Sequence, residues 1–132
     1  MGSAIAQVSA QSGFDTILFD VNETVLEKAK EIIQKNLKYL VENKKISAEE
    51  KENINLRIKF VKEISDCKAE VIIEAIIEKI EAKVSLFNQL AEVNLKETIF
   101  ATNTSSLSVS DIQKEAVHPG RVVGMHFLIP LI

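Results

Sequence analysis

The chain of 132 residues is 46% hydrophobic and 27% charged, with four glycines and two prolines, which fits about one globular domain and excludes disordered, collagen-like and low-complexity chains. Its longest apolar stretch, Val71 to Ile77, is interrupted by Glu74 and falls far short of the roughly 20 residues of a membrane-crossing helix, so no membrane partner is expected. A net charge of −3, from 16 basic and 19 acidic residues, gives no global field to draw a polyanion, so nucleic acid is not an expected partner either.

Ser3 to Ser12 is rich in small residues, with Ala4, Ile5 and Val8 along one face. This predicts a helix that packs closely on a sheet and is ended by Gly13 at positive φ. Asp15 to Asp20 is a short apolar run between Gly13 and Asn22 and predicts a buried strand. Thr24-Val-Leu-Glu27 matches a capping box. Val25, Ala29, Ile32, Ile33, Leu37, Leu40 and Val41 recur at helical spacing after it, so a long helix buried along one stripe is expected as far as about Asn43. Ser47-Ala-Glu-Glu50 repeats the capping signature and starts a helix to about Arg57. Residues 24–57 therefore read as a helical hairpin.

Arg57 to Ile64 is a weak strand candidate, and Glu70 to Ile77 a strong one whose β-branched content suits burial on both faces. Ile80, Val84, Phe87, Leu90 and Ala91 return to helical spacing, and Thr98 to Thr102 to a buried-strand composition. Ser110-Asp-Ile-Gln113 opens a brief helix, His118-Pro-Gly120 makes a turn, and Arg121 to Phe127 closes as a strand. This alternation makes an α/β chain with a parallel sheet covered on both faces. No linker or composition shift splits it. A doubly wound sheet starts with a strand, whereas this sequence starts with a helix. Nothing basic precedes Lys28, so the flank of a secretory leader is missing and a cytoplasmic chain is expected. The single cysteine, Cys67, is expected to be a small buried apolar residue rather than a reactive thiol.

Three features bear on chemistry. Met1-Gly2, a small-residue helix, a strand and Asp20 look like the latter part of a dinucleotide-binding unit. An Asp about 20 residues past the glycine turn accepts the adenine ribose hydroxyls and repels the extra phosphate of NADP, which favours NAD; a strand-terminal Asp is also a common turn former. Ala101-Thr-Asn-Thr-Ser-Ser-Leu107 sets five consecutive hydrogen-bonding side chains at the carboxyl end of a strand, where open α/β sheets bind ligands. A turn plus helix cap would use the same residue types. His126, one of two histidines, ends the last strand and could take a proton near physiological pH, or be a packed core residue. His118, in its turn, is expected to be exposed and inert.

The segments Met1-Gly-Ser-Ala-Ile-Ala-Gln7, Phe19-Asp-Val-Asn-Glu23, Val71-Ile-Ile-Glu-Ala-Ile-Ile-Glu78, Ala101 to Leu107 and Arg121-Val-Val-Gly-Met-His-Phe127 resemble the NAD-binding domain of the L-3-hydroxyacyl-CoA dehydrogenases, the short-chain 3-hydroxybutyryl-CoA type in particular. The resemblance covers essentially the whole chain. It implies a doubly wound parallel (Rossmann-type) sheet with a helical-hairpin insertion, NAD as cofactor, an acyl-CoA substrate and no metal. It makes Gly2 the last glycine of the family's Gly-x-Gly-x-Met-Gly turn and Asp20 the ribose ligand, and it sets Glu78 and Lys83 near the nicotinamide end. Asn103 and Ser105 would meet the substrate, Asn103 lying near the cofactor too. In the family the serine bonds the 3-hydroxyl or 3-keto oxygen and the histidine, here His126, removes the hydroxyl proton as hydride leaves. Lysines of the hairpin, Lys38, Lys44 and Lys45 among them, resemble the coenzyme A contact region, although Glu27, Glu31, Glu42, Glu49 and Glu50 are interspersed and a mixed-charge face is usually just solvated.

Four features of the family pattern do not recur. The opening strand and first two glycines are absent, Ile129 stands where the family has an amide, the glutamate that pairs with the histidine lies beyond the sequence, and so does the helical C-terminal domain that closes the cleft and forms a homodimer. The expectation is an incomplete NAD-binding domain that lacks its first strand and folds poorly unless that strand is supplied. Two further readings compete: a non-catalytic fragment binding coenzyme A or a partner, and a dehydrogenase of a free hydroxy acid such as gulonate.

Overall fold

A parallel strand pair needs a crossover, and the helices of this chain supply it. In the computed structural model, which describes residues 1–128, every strand pairing is parallel. The chain groups into two compact units, Met1–Glu63 and a second from Ile64 onward.

In the first unit, α1 (Gly2–Gln11) leads into β1 (Thr16–Phe19), the helical pair α2 (Glu23–Glu42) and α3 (Ala48–Arg57) follows, and β2 (Ile58–Val61) returns beside β1. Thr16 lies opposite Ile58 and Phe19 opposite Val61. Gly13 stands at φ 95° after α1, the left-handed conformation that suits glycine. Ala10, Ile33, Leu37, Ile54 and Ile58 make the core, with Leu18, Leu40, Ile46 and Phe60 against it. Polar groups lock the same elements: Arg57 Nη1 donates to the Ala10 carbonyl (3.0 Å), Asn36 Nδ2 to Gln7 Oε1 (3.1 Å) and Gln34 Nε2 to Asn55 Oδ1 (2.7 Å). The hairpin is as expected, but its first cap is not. Asn22, not Thr24, caps α2, its Oδ1 accepting the amides of Thr24 (2.9 Å) and Val25 (3.3 Å), because asparagine is at least as good a cap as threonine and comes first. The buried stripe is correspondingly rotated to Leu26, Ala29, Ile33 and Leu37, leaving Val25 and Ile32 exposed.

In the second unit, β3 (Val71–Glu74), α4 (Ile80–Val93), β4 (Ile99–Thr102), α5 (Val109–Glu115) and β5 (Val122–Gly124) form a sheet of order β3-β4-β5, with 3₁₀ turns at Ile64–Asp66 and Pro119–Arg121. Phe87 and Phe100 pack ring to ring, centroids 5.4 Å apart, and the Arg121 guanidinium lies 4.9 Å over the Phe100 ring. Arg121 also donates to the carbonyls of Thr98 and Leu95, both at 2.7 Å. Cys67 is buried, as expected, and burial and then Asp66 push its thiol up to about 11, away from the reactive thiolate.

Two expectations shift here. The cap of α5 is Ser108, whose Oγ accepts the Asp111 amide (3.3 Å), rather than Ser110. The strand expected over 70–77 stops at Glu74, because the Ile76 amide turns back to Glu74 Oε2 (2.8 Å) and leaves the ladder. Nor is it buried on both faces: Val71 is 47% exposed. Among the described residues β1 and β3 each pair along one edge only.

Candidate functional site

Register decides what meets at the carboxyl end of the second sheet. Glu74 lies opposite Thr102, and Thr102 opposite Gly124, so the three strands end abreast. Glu74 is buried, and its carboxylate is satisfied from three elements. Oε1 accepts the Thr102 hydroxyl (2.7 Å), while Oε2 accepts the Ile76 amide (2.8 Å) and Lys83 Nζ (2.6 Å). Lys83, on α4, has no exposed side-chain surface, and its ammonium also reaches Glu78 Oε1 at 3.0 Å. A buried cation thus sits between two carboxylates, the condition under which both charges are tolerated.

Glu78 faces the other way, onto the loop after β4. Its Oε2 accepts the hydroxyls of Thr104 (2.6 Å) and Ser106 (2.9 Å), and Thr104 Oγ1 in turn accepts the Leu107 amide (3.1 Å). The Thr104 hydroxyl, then Lys83 and Ser106, hold the Glu78 carboxyl down to about 2 from its ordinary 4.5. Ser105, between the two bonded residues, is exposed.

The second anchorage runs from β5. The Met125 amide donates to the Thr102 carbonyl (3.0 Å) and the Phe127 amide to Asn103 Oδ1 (3.0 Å), while the Asn103 amide donates to the Glu74 carbonyl (2.9 Å). His126 is therefore fixed by the backbone on both sides and left exposed, rather than packed in a core. The strand expected over 121–127 ends at Gly124, after which the Asn103 side chain replaces the ladder. A Cβ at Gly124 would come 2.9 Å from Val109 Cγ2, so a larger residue would have to displace that side chain where β5 passes α5, two residues before the histidine. His118 is exposed in its turn, as expected.

The remaining expected residues belong to the first unit. Asp20 follows β1; its Oδ1 accepts the Asn22 amide (2.8 Å) and its own amide donates to the Val61 carbonyl (3.3 Å). A half-buried carboxylate held at a strand end is the acceptor that paired ribose hydroxyls require. Gly2 opens α1, and a Cβ there would meet Leu18 Cδ1 at 3.7 Å, an ordinary contact. Lys38, Lys44 and Lys45 are exposed, Lys38 lying 3.9 Å from Glu42 and Lys44 standing at φ 56° in the turn after α2.

The structure thus brings Glu78, Lys83, Asn103 and His126 onto the segment that carries Ser105, and holds Gly2, Asp20 and the three lysines in the first unit. Ile129 lies outside the described residues. Sequence reasoning gave no role to Glu74, and set Thr102, Thr104 and Ser106 only within a run of hydrogen-bonding side chains, without their carboxylate partners. The available signal was Glu74 itself, a charge inside an apolar run that has to find a partner. Among the described residues no group of three His, Cys, Asp or Glu side chains is placed to hold a metal ion, and no helix is long and apolar enough to cross a membrane.

A family model described as the NAD binding domain of 3-hydroxyacyl-CoA dehydrogenase matches residues 1–132. A probable 3-hydroxybutyryl-CoA dehydrogenase of Deinococcus radiodurans is 36% identical over 132 residues, covering 99% of this chain and 47% of the relative. The 3-hydroxyadipyl-CoA dehydrogenase of Escherichia coli is 39% identical over 131 residues, covering 98% and 28%. Among solved structures, 3-hydroxybutyryl-CoA dehydrogenase of Escherichia coli K12 superposes with a TM-score of 0.92 at 39% identity, over 96% of this chain and 27% of that one. The (S)-3-hydroxybutyryl-CoA dehydrogenase of Ralstonia eutropha gives 0.92 at 29% identity, over 97% and 46%. The chain spans about half the length, or less, of the curated relatives it matches.

Proposed function

This chain belongs to the NAD-binding-domain family of the 3-hydroxyacyl-CoA dehydrogenases, and on that premise we propose that it serves the NAD-dependent oxidation of an L-3-hydroxyacyl-CoA to the 3-ketoacyl-CoA. The relatives carry names of this activity. Bound nicotinamide supplies the acceptor for the hydride that leaves C3. His126 takes the hydroxyl proton, which makes hydride departure feasible as the alkoxide develops, and imidazole suits the task because it ordinarily titrates near neutrality. Ser105 donates to the 3-oxygen and holds the carbon in place. Asn103, its Oδ1 occupied by the Phe127 amide, keeps its Nδ2 donor for substrate or cofactor. Asp20 accepts the ribose hydroxyls and Gly2 lets the start of α1 approach the diphosphate. Lys38, Lys44 and Lys45 offer exposed cations to the phosphates of coenzyme A. A cytoplasmic site of action accompanies this reading.

The observation that supports it most is the double anchorage of His126: the amides on both sides donate to Thr102 and Asn103, the start of the loop that carries Ser105. An imidazole and a hydroxyl tethered to one strand end are what a base and an orienting donor for a single alcohol need. The test is NADH consumption by the purified chain with acetoacetyl-CoA, beside His126→Ala. Turnover that the variant lowers by about 10²- to 10⁴-fold is expected. Equal turnover in the variant removes the histidine from the mechanism, and binding of NADH and acyl-CoA without turnover replaces the enzyme by a binding fragment.

A further inference from the structure

The helical hairpin leaves a groove where it crosses β2. The groove holds about 310 Å³ and is lined by Lys30, Ile33 and Gln34 of α2, Asn55 of α3, and Ile58 and Phe60 of β2. That volume is at the small end of the range of ligand pockets. Ile58 lies opposite Thr16, at the amino end of the parallel pair, whereas Asp20 follows the carboxyl end. The groove is therefore set back from the strand end to which the dinucleotide reading assigns the ribose.

Half of the lining is apolar. Ile33 and Ile58 belong to the core of the first unit and Phe60 packs against it, so this floor is fixed by close packing. The other half is rich in donors. Gln34 Nε2 donates to Asn55 Oδ1 at 2.7 Å, but the return contact from Asn55 Nδ2 to Gln34 Oε1 is 3.5 Å, at the limit of a hydrogen bond. The half-buried Asn55 thus keeps a loosely engaged donor in the groove. Lys30 is exposed beside it and forms no ion pair among the described residues. No carboxylate lines the groove, in a chain whose net charge is −3. An ammonium and a loosely held amide above an apolar floor complement an anion carried on an apolar body. We propose that this groove binds a small monocarboxylate, its carboxylate on Lys30 Nζ and Asn55 Nδ2 and its apolar body over Ile33, Ile58 and Phe60. A single cation matches a single negative charge, which favours a monocarboxylate over a phosphate. The proposal stands apart from the dehydrogenase reading, which gives no role to any residue of the lining.

Titration of the 132-residue chain with 3-phenylpropionate tests it, followed by NMR at the side-chain amides of Gln34 and Asn55 and the backbone amides of Lys30 and Phe60. Saturable shifts are expected at these groups, with the backbone amides of Lys38, Lys44 and Lys45 unmoved. Lys30→Met, which keeps the apolar stem, should weaken binding by about tenfold, and Lys30→Arg by no more than about twofold. Lys30 lies outside the core, so neither variant burdens the fold. The uncharged 3-phenylpropionamide, and acetate, which lacks the apolar body, should each bind about tenfold more weakly than 3-phenylpropionate. Unchanged affinity in Lys30→Met, equal affinity for the amide or for acetate, tighter binding of inorganic phosphate, or the absence of saturable shifts overturns the proposal. Shifts of the same amides on diluting the unliganded chain would place a second copy in the groove, and overturn it too.

Discussion

Glu74 shows how a single charge organises a sheet end. A carboxylate among Val and Ile residues is costly unless every oxygen is met, and here a hydroxyl, an amide and an ammonium meet it. Removing only the cation leaves the carboxylate buried and uncompensated. Lys83→Met is expected to cost about 3–5 kcal/mol in urea unfolding, and combining it with Glu74→Gln should recover a large part of the loss, because the remaining groups are neutral. Equal loss in the single and double variants would show that the pair contributes through packing alone. At this scale the sequence singles out residues whose type announces chemistry: His126, Asn103, Ser105, Asp20. It did not make legible the residues that hold them, since Thr102 and Thr104 meet their carboxylates across 28 and 26 positions of chain, and such a pairing leaves no local pattern. The close approach of Gly124 to Val109 was hidden for the same reason, since it arises between a strand and a neighbouring helix.

Elements were legible where one local rule acts without competition. Ser47 caps α3 as its spacing predicts, its Oγ taking the Glu50 amide at 3.0 Å. The start of α2 offered two capping residues within three positions, and the buried stripe keeps the expected Ala29, Ile33 and Leu37 but takes Leu26 where Val25 was expected and leaves Ile32 exposed. The proposed coenzyme A contact of the hairpin lysines makes an acyl-CoA and a free hydroxy acid distinguishable as substrates. With Lys38, Lys44 and Lys45 all changed to Glu, the KM for acetoacetyl-CoA is expected to rise by about tenfold, the scale of a few exposed charge contacts, with the KM for NADH unchanged. An unchanged KM for the thioester would favour the free acid. None of the three lysines belongs to the core of the first unit, so the variant tests binding with little demand on folding.

Across the whole molecule, the parallel α/β class and the strand-helix alternation could be read directly, because every crossover has its own helical period. The division after Glu63 could not. Both units obey the same local rules, and no glycine- or proline-rich linker marks the boundary. The strand pairings make a prediction of their own. β4 is bonded along both edges, whereas β1 and β3 are bonded along one among the described residues. Amide exchange in the 132-residue chain should therefore be slowest at Phe100 to Thr102 and faster at alternate amides of Thr16–Phe19 and Val71–Glu74. Uniform protection of all these strands would mean that both open edges are covered in solution.

The polar ring at the tips of β3 and β4 has a bearing on how the chain finds its native alignment. Shifting β4 by one residue against β3 would turn the Thr102 hydroxyl to the opposite side and strand Glu74 without that donor. Misaligned pairings in this unit are thus penalised by the same side chains that frame the loop after β4, so errors of assembly and loss of the loop's geometry would be weeded out together.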